Sequence, residues 1–206
     1  MRPPALLLLG LLSALPLLPA LRAGEEPPPS DEPPLVTLSG LRADPPAHLG
    51  QEVQCVLQLG DPVPAFNPYL TRFGPGEFLC FQAWSDERFL WDRAAFEDPA
   101  PYVFARRGTP AADLLAAARP YQRFRVRAVP REVFLGEPWI EVLDADRMHE
   151  SVSEGTILHA ARGLELLAEG NADLARGQLQ RAKAGFLPEH ARAELERLIE
   201  SCAEPR

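Results

Sequence analysis

Four histidines, three cysteines and a run of closely spaced arginines are the residues of this chain with the most chemistry to offer. The histidines, His48, His149, His159 and His190, are scattered, with no HExxH and no Cys/His spacing suited to zinc. GxSxG, a P-loop and GxGxxG are also missing from the sequence. Glu189-His190 reads as a solvated helix start, and His159 as a packing residue of a helix. The acids Asp86, Glu87 and Asp92 lack the order of a calcium loop. The sequence therefore nominates no catalytic residue, no metal ligand and no cofactor site, and the chain reads as a non-enzyme.

Binding chemistry is better represented. From Tyr102 to Arg131 the chain carries Arg106, Arg107, Arg119, Arg123, Arg125, Arg127 and Arg131 against a single acid, Asp113. Arg123, Arg125 and Arg127 alternate with Phe124, Val126 and Ala128, so on a strand they share one outward face. Such a stripe suits an acidic partner, a polyanionic glycan or single-stranded nucleic acid. The plainer reading, which we favour, is a solvated strand face offset by Glu132, Glu141 and Asp144 on the adjoining chain. A net charge of −8 argues against nucleic-acid binding by the whole chain, because displacing counterions needs a cationic surface.

The cysteines bear on compartment as well as chemistry. Residues 1–23 read as a secretory signal peptide. Arg2 supplies the positive start, Ala5–Leu18 an apolar run, and Ala20-Leu21-Arg22-Ala23 the small residues for cleavage. Pro16 and Pro19 break a run already short for a membrane span, so a soluble exported product is expected, periplasmic or secreted. Three cysteines suit an exported protein poorly. Strand parity places Cys55 with Val53, Leu57 and Leu59, but sets Cys80 opposite Leu79, Phe81 and Ala83. We therefore read Cys55, Cys80 and Cys202 as buried thiols.

The elements that must position these groups follow in order. Residues 24–34, GEEPPPSDEPP, form an acidic, proline-rich linker with nothing to bury. Period-two patterns predict strands over Gln51–Leu59, Phe78–Ser85 and Tyr102–Arg106. Thr109-Pro110 opens a short helix that Pro120 stops. Tyr121–Leu143 then predicts two strands turning at Leu135-Gly136. Beyond residue 148 the period becomes helical. A capping box at Ser151-Val-Ser-Glu154, with Ser153 as a competing cap, starts a helix to Glu169, which Gly170 and Asn171 end. A second helix covers Ala172–Ala184. A third opens at Pro188 and aligns Leu195, Leu198, Ile199 and Cys202.

This order, with RFRVRAVPREVFLGEPWIEV as a closing hairpin, resembles a bacterial exported OB-fold domain. The resemblance implies an α+β chain built on a five-stranded Greek-key barrel over residues 35–148. Residues 149–206 resemble a single tetratricopeptide-like hairpin with a capping helix. Gly163, Leu166, Gly170, Ala175, Leu179, Ala182 and Pro188 carry that likeness. One such unit is unstable alone, so it is expected to dock on the barrel or on a partner. Trp84, Tyr102, Phe104 and Trp139 lie on strands whose faces in an OB-like barrel can form a groove for stacking bases or sugars. The alternative is that they are core or covered by the helices, which is the better reading for Phe104 and about even for Trp84 and Tyr102. The candidate binding face is therefore Trp84, Tyr102, Arg106, Arg123, Arg125 and Arg127. The expected function is an exported, non-catalytic interaction module using barrel and helical hairpin to hold another envelope protein. Polyanion binding through the arginines is the alternative.

Overall fold

A computed structural model describes residues 32–64 and 72–203. The expected signal peptide and most of the 24–34 linker lie outside the described residues. Alternating apolar residues form five strands, β1 (Val53–Pro62), β2 (Phe78–Ser85), β3 (Ala100–Arg106), β4 (Arg123–Phe134) and β5 (Glu137–Arg147). They close into a barrel in the order β1-β2-β3-β5-β4. All pairs are antiparallel except β3–β5, where Val103 faces Ile140. The closing hairpin turns at Leu135 (φ 53°) and Gly136 (φ 82°), two consecutive left-handed residues that match the twist of the flanking strands. The fold is thus the expected OB-like barrel with a C-terminal helical appendage.

Inward residues of each strand fill the barrel: Cys55 and Leu57, Phe81 and Ala83, Val103 and Ala105, Phe124 and Val126, Ile140 and Val142. Two helices complete this core, α1 (Leu38–Ala43) through Leu38 and Leu41, and α3 (Pro110–Ala116) through Ala111, Ala112 and Leu115. Thr109 caps α3 by accepting a hydrogen bond from Ala112 N at 3.2 Å, as its sequence predicts. In the sequence, apolar residues recur with period two from Leu35 onward, but helix α1 forms there. Thr37 Oγ1 accepts from Gly40 N at 3.0 Å, and that cap starts one short turn in place of a strand. A second short helix, α2 (Arg93–Phe96), follows Asp92 in the β2–β3 connection.

The C-terminal unit consists of α4 (Glu154–Ala168), α5 (Ala172–Ala182) and α6 (Glu189–Ser201). Ser153, not Ser151, caps α4, accepting from Thr156 N at 3.1 Å. Gly163 lets α4 and α5 approach closely: a Cβ there would stand 2.7 Å from Leu179 Cγ. The helices do not stand apart from the barrel. Trp84 of β2, with Leu90 and Trp91 from the β2–β3 connection, shares one buried cluster with Ile157, Leu166, Leu179, Leu195 and Leu198.

All three cysteines are buried and free. Cys55 sits inside the barrel and Cys80 in a cluster on its outer face, as strand parity requires. Burial pushes the Cys55 thiol up to about 12, with a smaller push from the Glu87 charge. Burial raises Cys80 to about 12 as well, against a smaller lowering by a backbone hydrogen bond from Phe81.

Candidate functional site

The arginine stripe is divided by what covers it. Arg123, Arg125 and Arg127 all project from the outer face of β4, yet Arg123 is only 6% exposed. Its Nε and Nη2 donate to the two carboxylate oxygens of Asp86 at 2.5 and 2.7 Å, and Nη1 donates to Glu150 O at 3.4 Å. A strand pattern gives the face of Arg123 but not its cover, which arrives from the β2–β3 connection and the approach to α4. Arg125 and Arg127 stay exposed, but the β5 register sets Asp146 opposite Arg125 and Asp144 opposite Arg127. Arg127 also reaches Glu52 at 3.4 Å. Of the three acids expected to offset the stripe, Asp144 stands opposite Arg127 in the strand register. Glu132 pairs instead with Arg72 and Glu141 with Arg131.

The other candidates lie elsewhere. Arg106 leans over the Phe78 ring at 4.6 Å and pairs with Glu77 at 3.1 Å. Tyr102 is half-buried, stacked on Trp139 at 4.4 Å. Around them the outer face of β2, β3 and β5 carries Phe78, Cys80, Phe104 and Trp139. Phe73, from the β1–β2 connection, stacks on Phe104 at 4.2 Å. Phe73 thus covers the Phe104 face of this aromatic cluster with a side chain of the protein itself. Trp84 is 7% exposed, its Nε1 donating to Phe96 O at 3.1 Å and its ring lying on Phe96 at 5.6 Å. The six candidates therefore do not converge on one site.

A different site lies where barrel and helices meet, around Phe89. The Arg123–Asp86 pair anchors it, and Gln58 Nε2 donates to Ser85 O and Arg88 O, fixing the turn after β2. From this anchored turn Phe89 projects half-buried, its ring stacked on Trp91 at 5.0 Å and near His190 at 6.0 Å. Grooves open on both sides of it. One, of about 540 Å³, runs between the β2–β3 connection and helices α4 and α6. Its floor is Phe89, Trp91, Ala161, Leu164 and Leu198, and Asp92, Arg93, Glu165, Glu194 and Arg197 form its rim. The other, of about 410 Å³, is bounded by Leu35, Val36, Thr37, Val56, Asp86, Glu87, Phe89 and His190.

Sequence reasoning singled out Asp86, Glu87 and Asp92 in this stretch but passed over the aromatics between them. The available signal was Phe89-Leu90-Trp91, three consecutive large apolar residues in the connection. Among the described residues no group of histidines, cysteines and carboxylates is arranged to hold a metal ion. Nor is any described helix long and apolar enough to cross a membrane. No protein-family model, curated protein or solved structure matches the chain. The fold and the seam define an α+β protein with a pair of grooves built jointly by barrel and helices.

Proposed function

We propose that this chain is an exported, non-catalytic binding module that holds another envelope protein in the seam between its barrel and its helices. The observation that carries the reading is the groove between the β2–β3 connection and helices α4 and α6. Its floor is apolar and aromatic and its rim carries both signs of charge. Protein interfaces share that anatomy, with buried aromatic anchors inside a polar rim. Four of the five rim charges are ion-paired within the chain, Arg93 with Glu97, Glu165 with Arg162 and Arg197 with Glu194, and Asp92 accepts from Ala94 N. They frame the groove rather than supply a reacting group. The tetratricopeptide-like reading of α4 and α5 fits the same picture, since a lone unit of that kind needs a neighbouring surface and here leans on the barrel.

Polyanion binding has less support, because Arg123 is spent on Asp86 and the other two arginines face aspartates. A photo-crosslinking amino acid placed at Arg93 and activated in intact cells tests the leading reading. One discrete adduct with a different protein, lost in Leu164→Glu, is expected. Recovery of only the chain itself, or of adducts between its own copies, would overturn it.

A further inference from the structure

We propose that the second groove, on the barrel side of Phe89, receives a short basic segment of the partner protein. An apolar side chain would rest on its floor, and a neighbouring lysine or arginine would sit at Glu87. This inference rests on the binding-module reading and names the chemistry of the partner. The floor is unusually open for apolar surface: Leu35 is 73% exposed, and Val36, Val56 and Phe89 complete the lining. Covering such side chains is favourable for any partner that brings apolar area of its own.

The polar side of the groove decides which partner that is. Of its two carboxylates, Asp86 is committed to Arg123. Glu87 pairs with no cation among the described residues, yet it is held in place. Ser39 N donates to Ser85 Oγ at 3.0 Å, and the Ser85 hydroxyl donates in turn to the Glu87 carboxylate. Partial burial acts to raise the Glu87 carboxyl. Hydrogen bonds from Ser85, its own backbone N–H, Ser39 and Thr37 outweigh that, so the group lies below its ordinary value and stays ionised. His190 walls the groove, its Nε2 bonded to Asp86 O at 3.0 Å.

An oriented, uncompensated carboxylate beside an apolar floor selects among occupants. A purely apolar ligand would strip water from Glu87 with nothing in return. An acidic segment or a nucleic acid would meet Glu87 and a chain of net charge −8. A segment pairing an apolar residue with a basic one satisfies both halves of the groove, and the acidic chain draws it in.

Fluorescence anisotropy on the full chain tests this with a labelled, end-blocked hexapeptide alternating leucine and lysine. Leucine–glutamate and serine–lysine hexapeptides serve as counterparts. The leucine–lysine peptide is expected to bind at least about tenfold more tightly than either, a difference of roughly 1.4 kcal/mol. Glu87→Gln should remove most of that margin and its salt sensitivity, and Leu35→Glu, at an exposed position that cannot unsettle the core, should weaken the hold on leucine. Equal binding of the lysine and glutamate peptides, no binding of the lysine peptide, or indifference to Glu87→Gln would each overturn the inference. So would a concentration-dependent dimer lost in Glu87→Gln, which would make the occupant a second copy. The crosslink at Arg93 reports on the other groove, so the broader reading stands or falls separately.

Discussion

Replacing Asp86 by Asn leaves the Arg123 guanidinium in place and takes away its counter-charge. The side chains of Arg123 and Asp86 retain 7% and 20% of their surface, so water cannot fully replace the lost partner. Removing one member of a buried pair costs about 3–5 kcal/mol. Asp86 keeps some contact with solvent, which puts the expected loss near the lower end, at about 3 kcal/mol. That is a large share of the roughly 5–15 kcal/mol that stabilises a typical protein. With a urea dependence of roughly 2 kcal/mol per molar, the unfolding midpoint should fall by about 1.5 M. Tryptophan fluorescence is a suitable probe, because Trp84 and Trp91 lie in the cluster shared with the helices and Trp139 on a different face of the barrel. A double-mutant cycle with Arg123→Met should give a coupling energy of at least about 2 kcal/mol. A loss under about 1 kcal/mol, the range of exposed pairs, would refute the claim that this contact anchors the β2–β3 connection to β4.

Two glycines of the helical unit should respond oppositely to alanine. Gly163→Ala drives a methyl into Leu179 and should cost about 1–3 kcal/mol, relieved in part by Leu179→Ala, whereas Gly177→Ala enters open space and should gain up to about 1 kcal/mol by helix propensity; thermal melts read both. The Cys55 thiol titrates higher folded than unfolded, so its contribution is complete below the unfolded value near 8.5 and is lost as pH rises toward about 12. Stability measured by urea from pH 8 to 10.5 should therefore fall more steeply in the wild type than in Cys55→Ala, by up to about 1.4 kcal/mol per pH unit. On heparin at moderate salt the wild type should show no salt-sensitive retention, since Arg125 and Arg127 face Asp146 and Asp144; retention abolished by Arg125→Glu with Arg127→Glu would restore the polyanion reading.

Local rules carried the barrel a long way. The strand Phe78–Ser85, the Thr109 cap and the Leu135-Gly136 turn are all visible in the sequence, because each is decided by residues next to one another. The short helices were less legible. Helix α1 spans six residues, too few for its period to rise above that of a strand, and its cap is the only local mark it leaves. The candidate site was harder still. Alternation along β4 fixes which way Arg123 points, but its burial depends on Asp86 and Glu150, distant in sequence on either side. Phe89 became prominent only once helices from the far end of the chain were set against the connection that carries it.

The strand order has a consequence for how the chain is made. Val53 pairs with Ala128, and Val103 with Ile140, so neither β1 nor β3 finds its second neighbour until the closing hairpin exists. A chain emerging N-terminus first passes through a stage with three strands, open edges and Trp84, Leu90 and Trp91 uncovered. The hairpin then supplies both missing strands in one local step, and α4 to α6 close over the tryptophans last. The interval before residue 147 emerges is when edge-to-edge association is most favoured. Association during synthesis is therefore the hazard this topology creates.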